Sequence, residues 1–144
     1  MLHRMSDPKT KVLRQVPLFA GLSDKELEFI ASRADEATVP AGKVLTQQGR
    51  PGDTFYILLD GEVEVEVDGK HRRTLGPGSF FGEISMLDRG PGTATITTMK
   101  PTRLMVMSHS QFRDAITTDN AILVKVLSVM AERLRADLAA KAKA

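Results

Sequence analysis

The spacing of apolar residues changes twice along the chain, and the changes divide it into three regimes. Near the start, Ser23-Asp24-Lys25-Glu26 has capping-box spacing, and Leu27, Ile30 and Ala31 follow at helical intervals. Before it, Pro17-Leu18-Phe19-Ala20-Gly21-Leu22 reads as a short turn with two apolar anchors. In the middle, Glu62-Val63-Glu64-Val65-Glu66-Val67 alternates strictly, which turns valines to a core and glutamates to water. Asp68-Gly69 supplies a hairpin turn, with the return strand over Lys70–Leu75. Residues 93–99 and 102–107 predict a further hairpin around Lys100-Pro101. Ten of the eleven glycines fall between Gly42 and Gly92, punctuating short strands. Toward the end, Ser108-His109-Ser110-Gln111 opens a helix that runs to about Thr117, and Asp119 or Asn120 caps a longer one. In that long helix Leu123, Leu127, Met130, Leu134 and Leu138 form a narrow seam, widened early by Ile122, Val126 and Val129. The seam has two readings: packing on the chain's own β domain, or pairing with a second copy into a homodimer through residues 119–140. The predicted class is mainly β with flanking helices: helices over 1–34, strands and turns over 35–108, helices again over 109–144.

The 144 residues, 15.8 kDa, amount to one domain, 1–144. The longest apolar run, Phe55–Leu59, is far too short for a membrane span, and Met1–Pro8 has no signal-peptide core. A cytoplasmic location is expected, with no membrane partner. Twenty basic residues against 18 acidic give a net charge of +2. The excess sits at the ends, in Arg4, Lys9, Lys11, Arg14, Lys141 and Lys143, where solvated termini explain it and nucleic-acid binding has no support. There are no cysteines, and His3, His71 and His109 lie in no metal-ligand spacing. No nucleophile elbow occurs. The expectation is a protein that is not an enzyme and carries no metal and no resident cofactor.

One stretch between the hairpins, Phe80-Phe81-Gly82-Glu83-Ile84-Ser85-Met86-Leu87-Asp88, begins as a strand and ends with the spacing of a helical turn. Gly82 at that junction lets a ligand approach the backbone, and the N–H groups that follow favour an anion. A glutamate beside such a site is paradoxical for phosphate alone. It fits a ligand that also offers a hydroxyl, as a sugar phosphate does. The same residues also describe a buried turn in which Glu83 caps the helix, and spacing does not separate the two.

Two motifs add to this. Gly49-Arg50-Pro51-Gly52-Asp53-Thr54-Phe55-Tyr56-Ile57-Leu58-Leu59-Asp60-Gly61-Glu62-Val63 resembles the glycine-framed strand and turn of the cyclic nucleotide-binding domain family. Phe81-Gly82-Glu83-Ile84-Ser85-Met86-Leu87, followed by Thr93-Ala94-Thr95-Ile96, resembles that family's phosphate-binding cassette, here residues 80–95. The resemblance covers residues of about 16 to 138. It implies an eight-stranded antiparallel β-roll with N-terminal helices and a long C-terminal helix. It implies cyclic AMP or cyclic GMP as ligand, with Gly82 meeting ribose and phosphate and Glu83 accepting from the ribose 2′-hydroxyl. Ile84 and Ser85 would offer backbone N–H groups to the phosphate, and Thr93 and Ala94 would reach it from the next strand. A threonine at the position of Thr93 suits guanine better than alanine does. The sequence departs from the pattern at Gly92, where the family's cassette carries an arginine. Arg89 either reaches back to replace it or is solvated; Gly92→Arg is expected to tighten binding about ten- to a hundredfold. The sequence ending at Ala144 leaves no room for a DNA-reading domain, so output is expected through an effector protein or self-association. The long helix, hinged near Thr117-Thr118-Asp119-Asn120, is the expected switch. The alternative is a nucleotide-independent interaction or dimerisation domain on the same fold.

Overall fold

A computed structural model describes residues 8–143; Arg4, Asp7, His3 and Ala144 lie outside the described residues. The N-terminal helices are α1 (Pro8–Arg14) and α2 (Asp24–Ser32), joined through a 3-10 turn, Pro17–Phe19, whose Leu18 and Phe19 are buried anchors. The capping box that opens α2 closes in both directions: Ser23 Oγ accepts from the Glu26 N–H at 3.2 Å and Glu26 Oε1 accepts from the Ser23 N–H at 2.9 Å.

Eight strands follow: β1 (Asp35–Val39), β2 (Val44–Thr46), β3 (Thr54–Asp60), β4 (Val63–Val67), β5 (Lys70–Leu75), β6 (Phe80–Phe81), β7 (Thr95–Thr98) and β8 (Thr102–Ser108). They form two antiparallel sheets, one ordered β1-β8-β3-β6 and the other β2-β7-β4-β5. The β4–β5 hairpin is as expected, and both turn residues, Asp68 (φ 55°) and Gly69 (φ 77°), are left-handed, as a type I′ turn requires. The hairpin expected around Lys100-Pro101 does not form. β7 pairs with β2 and β4, while β8 pairs with β1 and β3 in the other sheet. The segment between them is a corner at which the chain changes sheets; period-2 alternation is the same on both sides of such a corner.

Alternation along β3 and β8 explains why there are two cores. Phe55, Ile57, Met105 and Met107 point to the helices and join Leu13, Phe19, Leu27 and Phe112. Leu58 and Leu104 point the other way and meet Val63, Val65, Phe81 and Ile96 between the sheets. A short helix, α3 (Glu83–Asp88), interrupts the roll. It is followed after β8 by α4 (His109–Thr118), capped by a second reciprocal box at Ser108 and Gln111, and by α5 (Asn120–Lys143). The break between α4 and α5 is a single extended residue, Asp119 (φ −153°, ψ 127°), whose carboxylate accepts from the Ala121 N–H at 2.8 Å.

α5 enters on the core through Ile122 and Val126, and Lys125 donates to the carbonyls of Pro17 (2.8 Å) and Ala20 (3.2 Å). The expected seam divides in two. Leu123 and Met130 pack on the core, whereas Val124, Leu127, Leu134 and Leu138 are 49–59% exposed. With Ala131, the outer row has steps of three, four, three and four, the a/d spacing of a paired helix. No helix among the described residues is long and apolar enough to cross a membrane.

Candidate functional site

The loop after β2 and the cassette are held in register by backbone. The Gly49 N–H donates to the Gly92 carbonyl and the Gly92 N–H to the Arg50 carbonyl, each at 2.8 Å, and Pro51 and Pro91 form a bridge beside them. The two sequence motifs therefore meet as one structural unit. Gly52 packs so closely on the cassette that a Cβ there would lie 2.6 Å from Ser85 Oγ. Gly82 is left-handed at φ 91°, and a Cβ would lie 2.5 Å from the Thr54 carbonyl oxygen. The close approach expected of Gly82 is thus made first by the chain's own β3 backbone.

Between this unit, the β2-β7-β4-β5 sheet and α5 lies a cavity of about 550 Å³, within the usual range for small-ligand sites. Val65, Leu75 and Ile96 supply an apolar wall from the sheet, with Met130 and Leu134 opposite on α5. Gly82, Glu83, Ile84, Ser85, Thr93 and Ala94 all line it, so six of the seven residues expected at the site come together. Arg89 does not join them. It is left-handed (φ 60°) at the end of α3, and its Nη2 lies 3.0 Å from His109 Nδ1. His71 pairs with Glu64 at 3.0 Å, so the two described histidines, His71 and His109, have separate partners.

Glu83 decides what the cavity can do. It is 4% exposed, its Oε2 faces Arg133 Nη1 at 3.4 Å, and its Oε1 has no hydrogen-bond partner. Burial raises the carboxyl above the usual carboxylate range, and the Arg133 guanidinium pulls it partly back. Leaving a buried carboxylate oxygen unpaired is costly unless something donates to it. Arg133 is itself placed by its bond to the Phe80 carbonyl (2.6 Å) and by its stacking 5.1 Å over the Phe80 ring. Arg73 on β5 pairs with Asp137, a second clamp between the sheet and α5.

Many lining residues lie outside the sequence expectation, among them Arg133, Arg73, Met130 and Arg50. Arg50 stood in the first motif, between two glycine-containing steps, and its charge was a signal that could have been used. Arg133 and Arg73 had no such signal, because only the docking of α5 brings them to the cavity.

Gly92 lines the cavity without a left-handed φ. A Cβ there would lie 2.9 Å from the Gln47 carbonyl oxygen. An arginine cannot be added at this position without moving the backbone of the β2–β3 loop.

Comparison with known proteins agrees with this geometry. The model of the family described as cyclic nucleotide-binding domain matches residues 36–119. A CRP-like cAMP-activated global transcriptional regulator of Mycobacterium tuberculosis is 29% identical over 130 residues, covering 87% of this chain and 58% of the regulator. The crystal structure of the catabolite activator protein of Thermus thermophilus superposes with a TM-score of 0.75 at 30% identity, over 87% of this chain and 62% of that one. A regulatory subunit of a cAMP-independent protein kinase A from Trypanosoma brucei shares the fold, with a TM-score of 0.75 at 21% identity over 85% of this chain and 44% of that one. The chain spans less than two thirds of the length of these relatives. A match over more than half its length, carried by two motifs that the fold brings into contact, shows that this chain belongs to the cyclic nucleotide-binding domain family.

Proposed function

We propose that the protein is a regulatory module that binds a cyclic nucleotide, cyclic AMP or cyclic GMP, in the cavity between the cassette and α5. The observation that carries this reading is the free oxygen of buried Glu83. A ribose 2′-hydroxyl donates to Oε1 without displacing Arg133 from Oε2. The base then lies between Val65, Leu75 and Ile96 on one side and Met130 and Leu134 on the other. The cyclic phosphate sits at the corner formed by Ser85, Thr93 and Ala94. The reading assigns no catalytic step; binding is the output, passed on through α5 to an effector protein or a second copy.

Calorimetry and thermal melting with each nucleotide test it. Saturable heat and a stabilised fold are expected. Glu83→Gln should weaken binding about ten- to a hundredfold, the equivalent of one charge-assisted hydrogen bond. The absence of both heat and a melting shift with millimolar cyclic AMP or cyclic GMP would sink the proposal.

A second reading rests on a different observation, the exposed row Val124, Leu127, Leu134 and Leu138. An apolar a/d stripe left in water is the feature that a second copy would cover, giving a homodimer through α5. This pairing is compatible with nucleotide binding, or it is the whole function if no nucleotide binds.

A further inference from the structure

A cyclic phosphate needs a cation at its end of the cavity, and Gly92 brings no side chain and has room for none. Four arginines line the cavity: Arg50, Arg72, Arg73 and Arg133. Two are committed. Arg73 pairs with Asp137, and Arg133 is held by Glu83 and the Phe80 carbonyl. Arg72 has no ion pair among the described residues, but it stands on β5, the outermost strand, three positions across the sheet from β2. Arg50, which is exposed, also has no ion pair or side-chain hydrogen bond among the described residues. The nearby acid, Asp53, accepts from the Thr54 hydroxyl at 2.9 Å instead of pairing with it. The Arg50 backbone is fixed against the cassette: its carbonyl takes the Gly92 N–H at 2.8 Å, and two residues on, Gly52 touches Ser85.

We infer that Arg50, from the loop after β2, supplies the guanidinium that grips the cyclic phosphate in this protein. The inference rests on the nucleotide-binding reading above and adds to it the residue that recognises the charge. An exposed arginine beside an anion corner, with its main chain clipped in place and its side chain free, can close on a phosphate without breaking an existing pair. The Gln47 carbonyl that excludes a side chain at position 92 belongs to the same loop, so the loop both closes one route to a guanidinium and provides another.

The test is calorimetry on the full chain with cyclic AMP, comparing the wild type with Arg50→Ala, Arg50→Lys and Arg89→Ala, with adenosine as a competitor that lacks the phosphate. Arg50→Ala should lose about ten- to a hundredfold in affinity, and Arg50→Lys should fall between it and the wild type. The ligand-free melting temperature should change little, because the exposed side chain has no hydrogen bond or ion pair among the described residues to lose. Adenosine should compete equally in the wild type and in Arg50→Ala. Three results would overturn the inference while leaving nucleotide binding intact. They are an Arg50→Ala affinity equal to wild type, an equal loss for adenosine, or a loss confined to Arg89→Ala. A wild type that binds no cyclic nucleotide would overturn the underlying reading as well, and the wild-type titration alone distinguishes that case.

Discussion

Glu83 carries two opposed demands, burial and charge, and its titration should report on both. Burial raises its carboxyl above the usual range. A raised folded-state value favours the protonated form, so its contribution to ligand-free stability is fully present below about pH 4.5 and is lost as pH rises through the raised value. Binding runs the other way, because the ionised carboxylate is the stronger acceptor for the ribose hydroxyl. The melting shift given by saturating cyclic AMP should therefore grow as pH rises from the usual carboxylate range through the raised value of Glu83, and Glu83→Gln should show no such slope. A wild-type shift that is flat with pH would remove Glu83 from the ligand contact. Gly92 leads to a second expectation, which reverses the one drawn from sequence. Because a Cβ there would lie 2.9 Å from the Gln47 carbonyl, Gly92→Arg should destabilise the fold by about 1–3 kcal/mol, read as a lower urea midpoint, and should not tighten binding. A tenfold gain in affinity would show that the phosphate corner lacks a cation. The cassette residues were legible because glycine, a buried acid and a helical turn are local features. The neighbours of Gly92 were not, because Gln47 and Arg50 are distant from it in the chain and only the fold brings them together.

At the scale of elements, α5 shows both the reach and the limit of periodicity. The apolar positions of α5 were visible in the sequence, but the pattern cannot tell which row meets the core. Leu123 and Met130 were grouped with Leu127, Leu134 and Leu138, and the structure turns the first pair inward and the other three to solvent. The break at Asp119 fell where the sequence placed a hinge. Removing everything after Thr118 would expose the core contacts of Ile122 and Val126, so point changes are the better probe of pairing. Leu127→Glu with Leu138→Glu should leave the monomer's melt within about 0.5 kcal/mol of wild type and abolish association in sedimentation equilibrium. If wild type and variant sediment alike, the outer row is an ordinary exposed face. Hydrogen exchange gives a separate check on α5 as a lid. Protection across Asn120–Leu138 should rise on nucleotide saturation, since Met130 and Leu134 line the cavity. Unchanged protection would rule the lid role out.

The topology of the whole molecule joins these two faces of one helix. Strand content and the β4–β5 hairpin were readable from alternation and turn chemistry. The division into two sheets was not, since β2 with β7 and β1 with β8 pair across more than 45 residues, and alternation carries no record of the partner. That division matters for function: the cavity lies between the β2-β7-β4-β5 sheet, the cassette and α5, and the Arg133–Glu83 and Arg73–Asp137 pairs tie α5 to the other two. Leu134 belongs to the cavity lining and to the exposed outer row at once. A ligand that fixes Leu134 against the base therefore also fixes part of the surface on which a second copy would pair. By linkage, any effect of nucleotide on pairing must equal the effect of pairing on nucleotide affinity. We expect cyclic AMP to change the dimer dissociation constant by about fivefold or more, in the range usual for coupled sites. Sedimentation at several protein concentrations, with and without saturating nucleotide, gives one ratio. Calorimetry at low and high protein concentration gives the other, and the two should agree. In Leu127→Glu/Leu138→Glu the nucleotide affinity should match that of the wild-type monomer and lose its dependence on protein concentration. A dimer constant unmoved by saturation would mean that the two faces of α5 act independently, and that the signal leaves the molecule by another surface.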